Sequence, residues 1–212
     1  MAQFMISGRK IIGAGANYRS LLALKGQSIP ENPTIFFKPP SSYIVEGQAI
    51  EVPKGFDIIE EVELGVVIGK ICKNVSEAEA LNYVAGYCLA LDMTNGTLVG
   101  EAISRGLPWC LGKGFDTASP VSEFIPLEKI PDPDNVEIWC KVNGELKQKA
   151  NTSDMVFSVS QLISYASQFM TLEPNDLIMT GSPPGMVPVV PGDVIEAGLA
   201  DILKMKFPVK AA

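Results

Sequence analysis

Residues 60–69, Glu60-Glu61-Val62-Glu63-Leu64-Gly65-Val66-Val67-Ile68-Gly69, are the clearest sign of β-structure in this 212-residue chain. From residue 62 the segment is almost continuously apolar, which predicts a buried strand over 62–69. Because side chains alternate between the faces of a strand, Glu61 and Glu63 should point the same way. Two such carboxylates repel each other unless they are solvated, protonated or neutralised by a cation. The simpler alternative to a cation site is that both side chains face solvent at the rim of a sheet.

A second apolar segment, residues 83–91, predicts a central strand that ends at Asp92. A lone carboxylate at this position needs a partner, although a turn or a helix cap explains it equally well. If Asp92 joins Glu61 and Glu63 at neighbouring strand ends, the three form an all-oxygen site. Such a site suits a hard divalent ion such as Mg²⁺ or Mn²⁺.

Two further segments carry candidate functional groups. Lys113 stands between Gly112 and Gly114, where a lysine has little to pack against. Near a metal it would bind a substrate carboxylate or stabilise an enolate, whereas a solvated lysine is the simpler interpretation. Residues 180–185, Thr-Gly-Ser-Pro-Pro-Gly, offer a hydroxyl and free amides to an anionic group, but a surface turn accounts for them as well.

The remaining pattern predicts short strands and a few helices. The N-terminal residues 1–4 resemble the start of a strand, and Asn143-Gly144 is a strong hairpin signal. No repeat or linker interrupts the chain, so we expect one α+β, β-rich domain spanning 1–212. Further strands are predicted at 10–15, 33–38, 136–142, 145–149, 176–180, 193–195 and 202–209, and helices at 19–25, 76–81 and 158–169.

Composition excludes several functional classes. The chain has no histidine, so Ser-His-Asp triads, Cys-His pairs and histidine-ligated zinc sites are excluded. A net charge of −7 predicts a surface that repels nucleic-acid phosphate and anionic lipid, and we expect neither nucleic acid nor a membrane as a partner. A local basic pocket for an anionic small molecule stays open as an alternative.

The cysteine spacing and the lengths of the apolar segments indicate the cellular compartment of the protein. Cys72, Cys88, Cys110 and Cys140 are widely spaced without a CxxC motif, so we expect buried thiols in a reducing environment. No apolar run approaches the roughly 18 residues of a membrane span, and the N-terminus shows no secretory or transit pattern. We therefore expect a soluble intracellular protein of the cytoplasm or the mitochondrial matrix.

Taken together, the motifs resemble the fumarylacetoacetate hydrolase family, in particular its short acylpyruvase and oxaloacetate decarboxylase branch. The resemblance extends over nearly the whole chain in the right order. Its motifs are residues 15–18 (GANY), 37–39 (FKP), 61–67 (EVELGVV), 91–94 (LDMT), 106–109 (GLPW), 113–116 (KGFD), 142–146 (VNGEL) and 180–183 (TGSP).

The resemblance implies a mixed β-roll of the family's C-terminal-domain type, usually a homodimer. It implies Mg²⁺ or Mn²⁺ held by Glu61, Glu63 and Asp92, with Lys113 beside the metal-bound substrate. Thr180 would contact the substrate's carboxylate or keto oxygen. The implied catalytic residues are Lys113, Glu61 and Thr180, and the implied substrate-binding residues are Asn17, Tyr18, Lys38, Leu21, Leu24 and Gly181.

The sequence departs from the family pattern on the substrate side. The family's hydrolases carry a histidine and a glutamate, one turn apart, that activate water, and Leu21 and Leu24 stand at those positions. A family arginine and glutamine after the metal aspartate correspond to Gly96 and Val99. These replacements make the pocket more apolar, which fits a bulkier and less charged substrate than oxaloacetate.

We therefore predict a small-molecule enzyme that acts on an enolisable 2-oxo acid or 1,3-dicarbonyl compound through a metal-bound enolate. Decarboxylation, tautomerisation or a related isomerisation or cyclisation is favoured, because the metal takes up the developing enolate charge. Hydrolysis of a C–C bond needs a substitute base, for which Glu60 or Glu101 is available. A non-catalytic scaffold is the remaining alternative, although it gives no reason to keep the acidic residues and Lys113 together.

Overall fold

The computed structural model describes residues 2–212. Within this range, the α-helices are α1 (Gln3–Ser7), α2 (Arg19–Leu24), α3 (Glu77–Ala80), α4 (Gly96–Arg105), α5 (Cys110–Lys113) and α6 (Val159–Phe169). The strands are β1 (Ile11–Gly15), β2 (Thr34–Lys38), β3 (Tyr43–Ile44), β4 (Ile50–Val52), β5 (Ile58–Ile59), β6 (Val62–Ile68), β7 (Val84–Leu91), β8 (Thr94–Asn95), β9 (Ser119–Pro120), β10 (Ile125–Pro126), β11 (Glu137–Val142), β12 (Glu145–Asn151), β13 (Leu177–Met179), β14 (Pro188–Val189), β15 (Val194–Leu199) and β16 (Leu203–Ala211). This mixture confirms the predicted α+β, β-rich fold with a few short helices.

The largest sheet has six strands in the order β10-β7-β6-β13-β1-β2. Strand β6 lies inside it, antiparallel to both β7 and β13, and every residue of β6 is buried. A strand covered on both faces is predominantly apolar, which explains the run of Leu, Val and Ile in its sequence. Glu63 is the one charged residue of β6. Strand β7 is also internal, as its apolar sequence predicts, because β10 covers its other edge.

A second sheet has five strands in the order β12-β11-β15-β16-β4. The predicted hairpin joins β11 to β12, and Asn143 and Gly144 have φ values of 52° and 82° at its turn. Both values lie in the left-handed region that such a two-residue turn requires. One large hydrophobic core draws buried side chains from both sheets, including Leu64 of β6 and Ile195 and Phe207 of the second sheet.

The helices are short, and side-chain caps fix the starts of α4 and α6 among those that the structure describes. Helix α6 begins with a capping box in which Ser158 and Gln161 satisfy each other's backbone amides, and its apolar face is buried. Helix α4 is absent from the predictions, because Gly96, Thr97 and Gly100 disfavour helix formation. Its start is fixed instead by the side chain of Asn95, which accepts from the Leu98 amide at 2.9 Å.

Two predictions are wrong. Where residues 1–4 predicted the start of a strand, Gln3–Ser7 form helix α1, because Phe4 and Met5 of this short helix fill a second apolar cluster against the large sheet; Met1 lies outside the described residues. Cys110 is exposed at the start of α5, whereas Cys72, Cys88 and Cys140 are buried as expected. All four cysteines carry free thiols.

Candidate active site

Three carboxylates meet at the ends of the paired strands β6 and β7. Glu61 precedes β6, Glu63 lies within it, and Asp92 follows β7. The register places Val62 opposite Leu91, and the amide of Asp92 donates to the carbonyl of Glu61 at 2.8 Å. One carboxylate oxygen of each residue lies within 4.8 Å of those of the other two. We call Glu61, Glu63 and Asp92 the acidic cluster.

Two buried lysines partly neutralise the acidic cluster. Lys38 donates from Nζ to Asp92 Oδ1 at 2.6 Å. Lys113 donates to Asp92 Oδ2, to Glu61 Oε2 at 3.1 Å and to Thr94 Oγ1 at 2.6 Å. Three negative and two positive charges leave one excess negative charge in a buried site. A divalent cation fits this set of hard oxygen donors and would leave the site with a net positive charge, which suits an anionic substrate.

The pKa values reflect this partial compensation. Burial raises the pKa of Glu63 well above its usual range, and the charges of Asp92 and Glu61 add to the rise. Burial also raises the pKa of Glu61, although Lys113 opposes it. Burial alone would raise the pKa of Asp92 too, but the ammonium groups of Lys113 and Lys38 outweigh it and hold that pKa below its usual range. Glu63 is therefore the carboxylate whose ionised form a bound cation would stabilise most.

The same pairing keeps Lys113 charged. Burial alone would lower the pKa of Lys113, but the carboxylates of Asp92 and Glu61 outweigh it and raise that pKa above its ordinary value. At neutral pH its Nζ therefore remains an ammonium group. Such a group stabilises negative charge on a neighbouring oxygen but does not act as a base.

Glu63 is held by a backbone turn after β13. Gly181 donates its amide to Glu63 Oε2 at 2.7 Å and has a φ of 101°. A Cβ at this position would come within 2.6 Å of the Asn17 Cβ, so glycine satisfies both the turn and the close approach. The predicted anion-binding loop therefore holds a carboxylate of the protein itself in this structure.

An open cavity of about 200 Å³ lies against the acidic cluster. Of the predicted site residues, Glu61, Glu63, Lys113 and Leu21 line it. A larger cavity of about 480 Å³ lies elsewhere, between Met5 and Phe124 among others. Its lining includes neither Lys113 nor any member of the acidic cluster, so the smaller cavity is the candidate active site.

The other predicted substrate-binding residues lie outside this lining. Asn17 bridges backbone groups, donating to the Phe157 and Thr180 carbonyls at 2.9 and 2.8 Å. Thr180 donates its hydroxyl to the Leu64 carbonyl at 3.0 Å. Asn17 is thus occupied in joining loop segments and Thr180 in a bond to β6, and their predicted contact with substrate stays a prediction.

Tyr18, Lys38 and Leu24 are also away from the cavity surface. Tyr18 is fully buried, and its hydroxyl has no hydrogen-bond partner within residues 2–212. Lys38 lies behind the acidic cluster on Asp92. Leu24 is 75% exposed to solvent, whereas Leu21, one turn earlier, is 5% exposed. Of the two substrate-binding positions predicted on α2, only Leu21 therefore faces the cavity. The substrate contacts predicted for Tyr18, Lys38 and Leu24 stay predictions.

Neither proposed substitute base reaches the cavity. Glu60 points to the opposite face from Glu61, is fully buried, and accepts from the Val187 amide at 3.2 Å. Burial raises the pKa of Glu60 to about 8. Glu101 is exposed on α4 and is absent from the lining.

Several lining residues were not among the predicted site residues. Thr94 follows Asp92 by two positions, so the alternation that places Asp92 also places Thr94 on its side. Phe36 is likewise two positions before Lys38 on β2, and its ring centroid lies 4.5 Å from Lys113 Nζ. This two-residue spacing was the available signal for both. Trp109, Ile103 and Met186 come from loops and helices, and no local pattern indicates that they line the cavity.

Residues 10–210 match the model of the fumarylacetoacetate (FAA) hydrolase C-terminal family. The chain belongs to this family. Among its relatives, the mitochondrial oxaloacetate tautomerase FAHD1 of Bos taurus is 46% identical over 99% of this chain and 96% of its own length. The mitochondrial oxaloacetate decarboxylase of Dictyostelium discoideum is 48% identical over 95% of this chain and 94% of its own. The predicted family and its short branch are confirmed.

Solved structures of the fumarylacetoacetate hydrolase family share the fold. A fumarylpyruvate hydrolase from Pseudomonas aeruginosa, in complex with Mn²⁺ and pyruvate, superimposes with a TM-score of 0.90 at 28% identity, covering 97% of this chain and 91% of that one. The names of the two relatives describe a tautomerase and a decarboxylase of oxaloacetate, an enolisable 2-oxo acid. These findings confirm the predicted class, a family enzyme of the isomerase or lyase type. None of the helices within residues 2–212 is both long and apolar enough to span a bilayer.

Proposed function

We propose that this protein catalyses the metal-dependent interconversion of the keto and enol forms of a 2-oxo acid of the oxaloacetate type. The observation that carries the proposal is the acidic cluster in contact with the ammonium of Lys113 at one end of an open cavity. Its relatives named oxaloacetate tautomerase support the reaction type. Decarboxylation of the same substrate is the second candidate, supported by the relative that bears that name.

We assign the metal ligands to Glu61, Glu63 and Asp92, with Mg²⁺ as the ion and Mn²⁺ as its substitute. The ion would supply Lewis-acid polarisation of the 2-oxo group. The Mn²⁺ and pyruvate in the Pseudomonas aeruginosa structure support this type of ligation. Lys113, held as an ammonium between Glu61 and Asp92, would stabilise the negative charge that develops on the substrate oxygen.

Proton transfer at the substrate carbon is assigned to Glu61. Its side chain is 17% exposed and lines the cavity, whereas that of Asp92 is fully buried behind the lysines. Thr94 contributes by holding Lys113 in place through its hydroxyl.

Hydrolysis is disfavoured by the groups that line the cavity. Activation of an attacking water needs a second base near the substrate, besides Glu61, which is assigned to proton transfer at the substrate carbon. Leu21 stands where the family pattern has a histidine, and Glu60 and Glu101 lie outside the lining. The structure therefore favours chemistry at an enolate over cleavage by water.

The test is a set of parallel assays with Mg²⁺ and with a chelator. We expect faster decay of the oxaloacetate enol absorbance only with Mg²⁺, with slower or no release of pyruvate. Acetylpyruvate should not yield pyruvate and acetate. Cleavage of acetylpyruvate would replace this proposal with a hydrolase. Unchanged enol decay of both oxaloacetate and a second 2-oxo acid, phenylpyruvate, would exclude the tautomerase.

Three further predictions remain proposals. We infer a single catalytic domain over residues 1–212, supported by the core that both large sheets share. We infer a homodimer from the family resemblance, which light scattering of the purified protein tests. We infer the mitochondrial matrix or the cytoplasm as the compartment, supported by the word mitochondrial in the relatives' names and tested by a tagged protein in cells.

A further inference from the structure

The side of the cavity above the acidic cluster is apolar. Leu21, Phe36 and Val99 are buried, and Trp109 is half-buried, and all four line the cavity. We call these four residues the apolar wall. They come from α2, β2, α4 and the residue before α5, so four separate segments present hydrocarbon to the same space.

The apolar wall starts at Lys113 and leads outward. The Phe36 ring centroid is 4.5 Å from Lys113 Nζ and 5.6 Å from the centroid of Trp109. A Cβ on Gly112 would come within 2.5 Å of Val99 Cγ2, so Val99 packs on the backbone next to Lys113. A group attached to a substrate bound at Lys113 therefore meets aromatic and aliphatic carbon first.

Besides the acidic cluster and Lys113, few buried polar groups face the cavity, and two further polar lining residues, Gln27 and Thr34, are exposed. Thr94 Oγ1 accepts from Lys113 and donates to the Asp92 carbonyl at 3.0 Å, and Ser182 Oγ accepts from Gln148 at 2.8 Å. Among the lining residues that the structure describes, Lys25 is the one cation besides Lys113, and it is exposed at the rim. A second substrate carboxylate against the apolar wall would lose water without gaining a buried partner, which is costly.

We propose that the substrate carries an apolar alkyl or aryl substituent on C3 of the 2-oxo acid, and that the apolar wall selects it. This inference rests on the proposed function, because the acidic cluster and Lys113 must bind the 2-oxo acid end. The wall residues act in specificity: they bury the substituent and disfavour a second carboxylate, so that oxaloacetate is a poorer substrate than its apolar analogues. Arylpyruvates and alkylpyruvates form the corresponding substrate class.

Two oxamates with the same head group test the wall without turnover. N-phenyloxamate carries a phenyl ring where N-oxalylglycine carries a carboxymethyl group, and both mimic a 2-oxo acid. Isothermal titration of the Mg²⁺-loaded protein should give at least about 10-fold tighter binding of N-phenyloxamate, equivalent to about 1.4 kcal/mol. Equal or tighter binding of N-oxalylglycine overturns the inference.

Variants of the wall locate the selectivity. Val99→Thr keeps the shape but replaces a methyl group by a hydroxyl. It should weaken N-phenyloxamate binding about 5-fold, while the affinity for N-oxalylglycine changes less than about 2-fold. Trp109→Leu is the second variant, for use if Val99→Thr folds poorly, and it should weaken N-phenyloxamate binding more than N-oxalylglycine binding. Thr97→Val exchanges the same groups at an exposed position on α4 outside the lining, and should leave both affinities unchanged. Equal loss for both ligands in the wall variants contradicts selection by the wall.

Turnover separates this inference from the proposed function. Keto–enol interconversion is measured for phenylpyruvate and oxaloacetate in the same Mg²⁺ buffer. A higher kcat/KM for phenylpyruvate supports both proposals. A higher value for oxaloacetate overturns the apolar substrate class and leaves the tautomerase intact. Selective binding of N-phenyloxamate without turnover of either acid supports the wall and overturns the tautomerase.

Discussion

The acidic cluster and the apolar wall meet at one cavity and are built in different ways. The cluster is carried by paired strands of the large sheet, whose hydrogen-bonded register places Asp92 beside Glu61. The wall is assembled from helices α2 and α4, strand β2 and the loop before α5. A sheet fixes the distances between charges, whereas the helices above it accept new side chains without altering that register.

Under the proposed function, this difference separates the chemistry from the choice of substrate. The cluster would need three oxygen donors and a lysine at fixed positions, and any displacement would leave a buried charge uncompensated. The wall needs only hydrocarbon of suitable shape, which several residue types provide. Changes in the cluster should therefore abolish activity, while changes in the wall should redirect it.

The largest expected effect is that of Glu63→Gln. The amide oxygen of glutamine still accepts from the Gly181 N–H, so the turn should be kept while one negative donor is lost. Metal affinity should fall by more than ~100-fold and turnover by a similar factor. Titration with Mn²⁺ and the enol assay measure these effects. Glu128→Gln, an exposed substitution remote from the cavity, is the matched control.

Retention of metal binding in Glu63→Gln would contradict the assignment of the cluster. In that case a residue other than Glu63 must supply the third metal ligand. The excess negative charge of the acidic cluster would then not account for metal binding. Loss of folding, measured by a thermal melt of the metal-free variant, would instead point to a structural role for Glu63.

Lys113→Met should have the next largest effect. Loss of the ammonium leaves Glu61 without a salt bridge and Asp92 with Lys38 alone. Breaking a buried pair costs about 3–5 kcal/mol, so the metal-free variant should melt well below the native protein. Saturating Mg²⁺ should restore much of this loss because it replaces the missing positive charge. Turnover should still fall by about 10²- to 10³-fold, since the substrate oxygen loses its charged donor.

Thermal melts with Mg²⁺ and with a chelator check this prediction. If Mg²⁺ fails to stabilise Lys113→Met more than it stabilises the native protein, the ammonium and the ion do not share the same carboxylates. Lys129→Met, on the exposed surface, controls for the change of side chain.

The cluster could be predicted from sequence, because the alternation of strand residues links Glu61 to Glu63 and the end of an apolar strand marks Asp92. The wall could not be predicted in full. Phe36 and Thr94 follow the same two-residue alternation, but the position of Trp109 depends on how the loop before α5 packs onto β2. Leu21 and Leu24 show the limit most clearly, since helical spacing places them one turn apart but does not say which of them faces the cavity.

The back of strand β6 gives a third, smaller test. Glu60 is buried beside Val187 and Cys140, its Oε2 has no partner within residues 2–212, and burial raises its pKa to about 8. The unfolded chain has an ordinary carboxyl, which binds its proton less tightly than the folded protein does. The free energy of unfolding should therefore fall as pH rises from about 5 to 8, by up to ~1.4 kcal/mol per pH unit from this group.

Glu60→Gln removes this titration and should make the pH dependence over that interval less steep, while the contribution of Glu63, whose pKa burial also raises, remains. Urea unfolding at several pH values measures the slope, and the kcat/KM of the enol assay should change little because Glu60 lies away from the cavity. An unchanged slope would mean that Glu60 is ionised in the folded protein. A large loss of activity would support its recruitment as a base.

The smallest effect is expected at Leu24, and it sharpens the difference between the two sides of helix α2. Leu24→Gln places a polar group on a side chain that is already 75% exposed, so stability should stay within about 0.5 kcal/mol and kcat/KM within about 2-fold. Leu21→Ala, one turn earlier, removes buried hydrocarbon from the wall and should cost about 2–5 kcal/mol. It should also weaken binding of an aryl-substituted 2-oxo acid. If Leu24→Gln instead raises KM as much as Leu21→Ala does, then α2 closes over the cavity when substrate binds. Leu24 would in that case have the substrate contact that the family pattern implies.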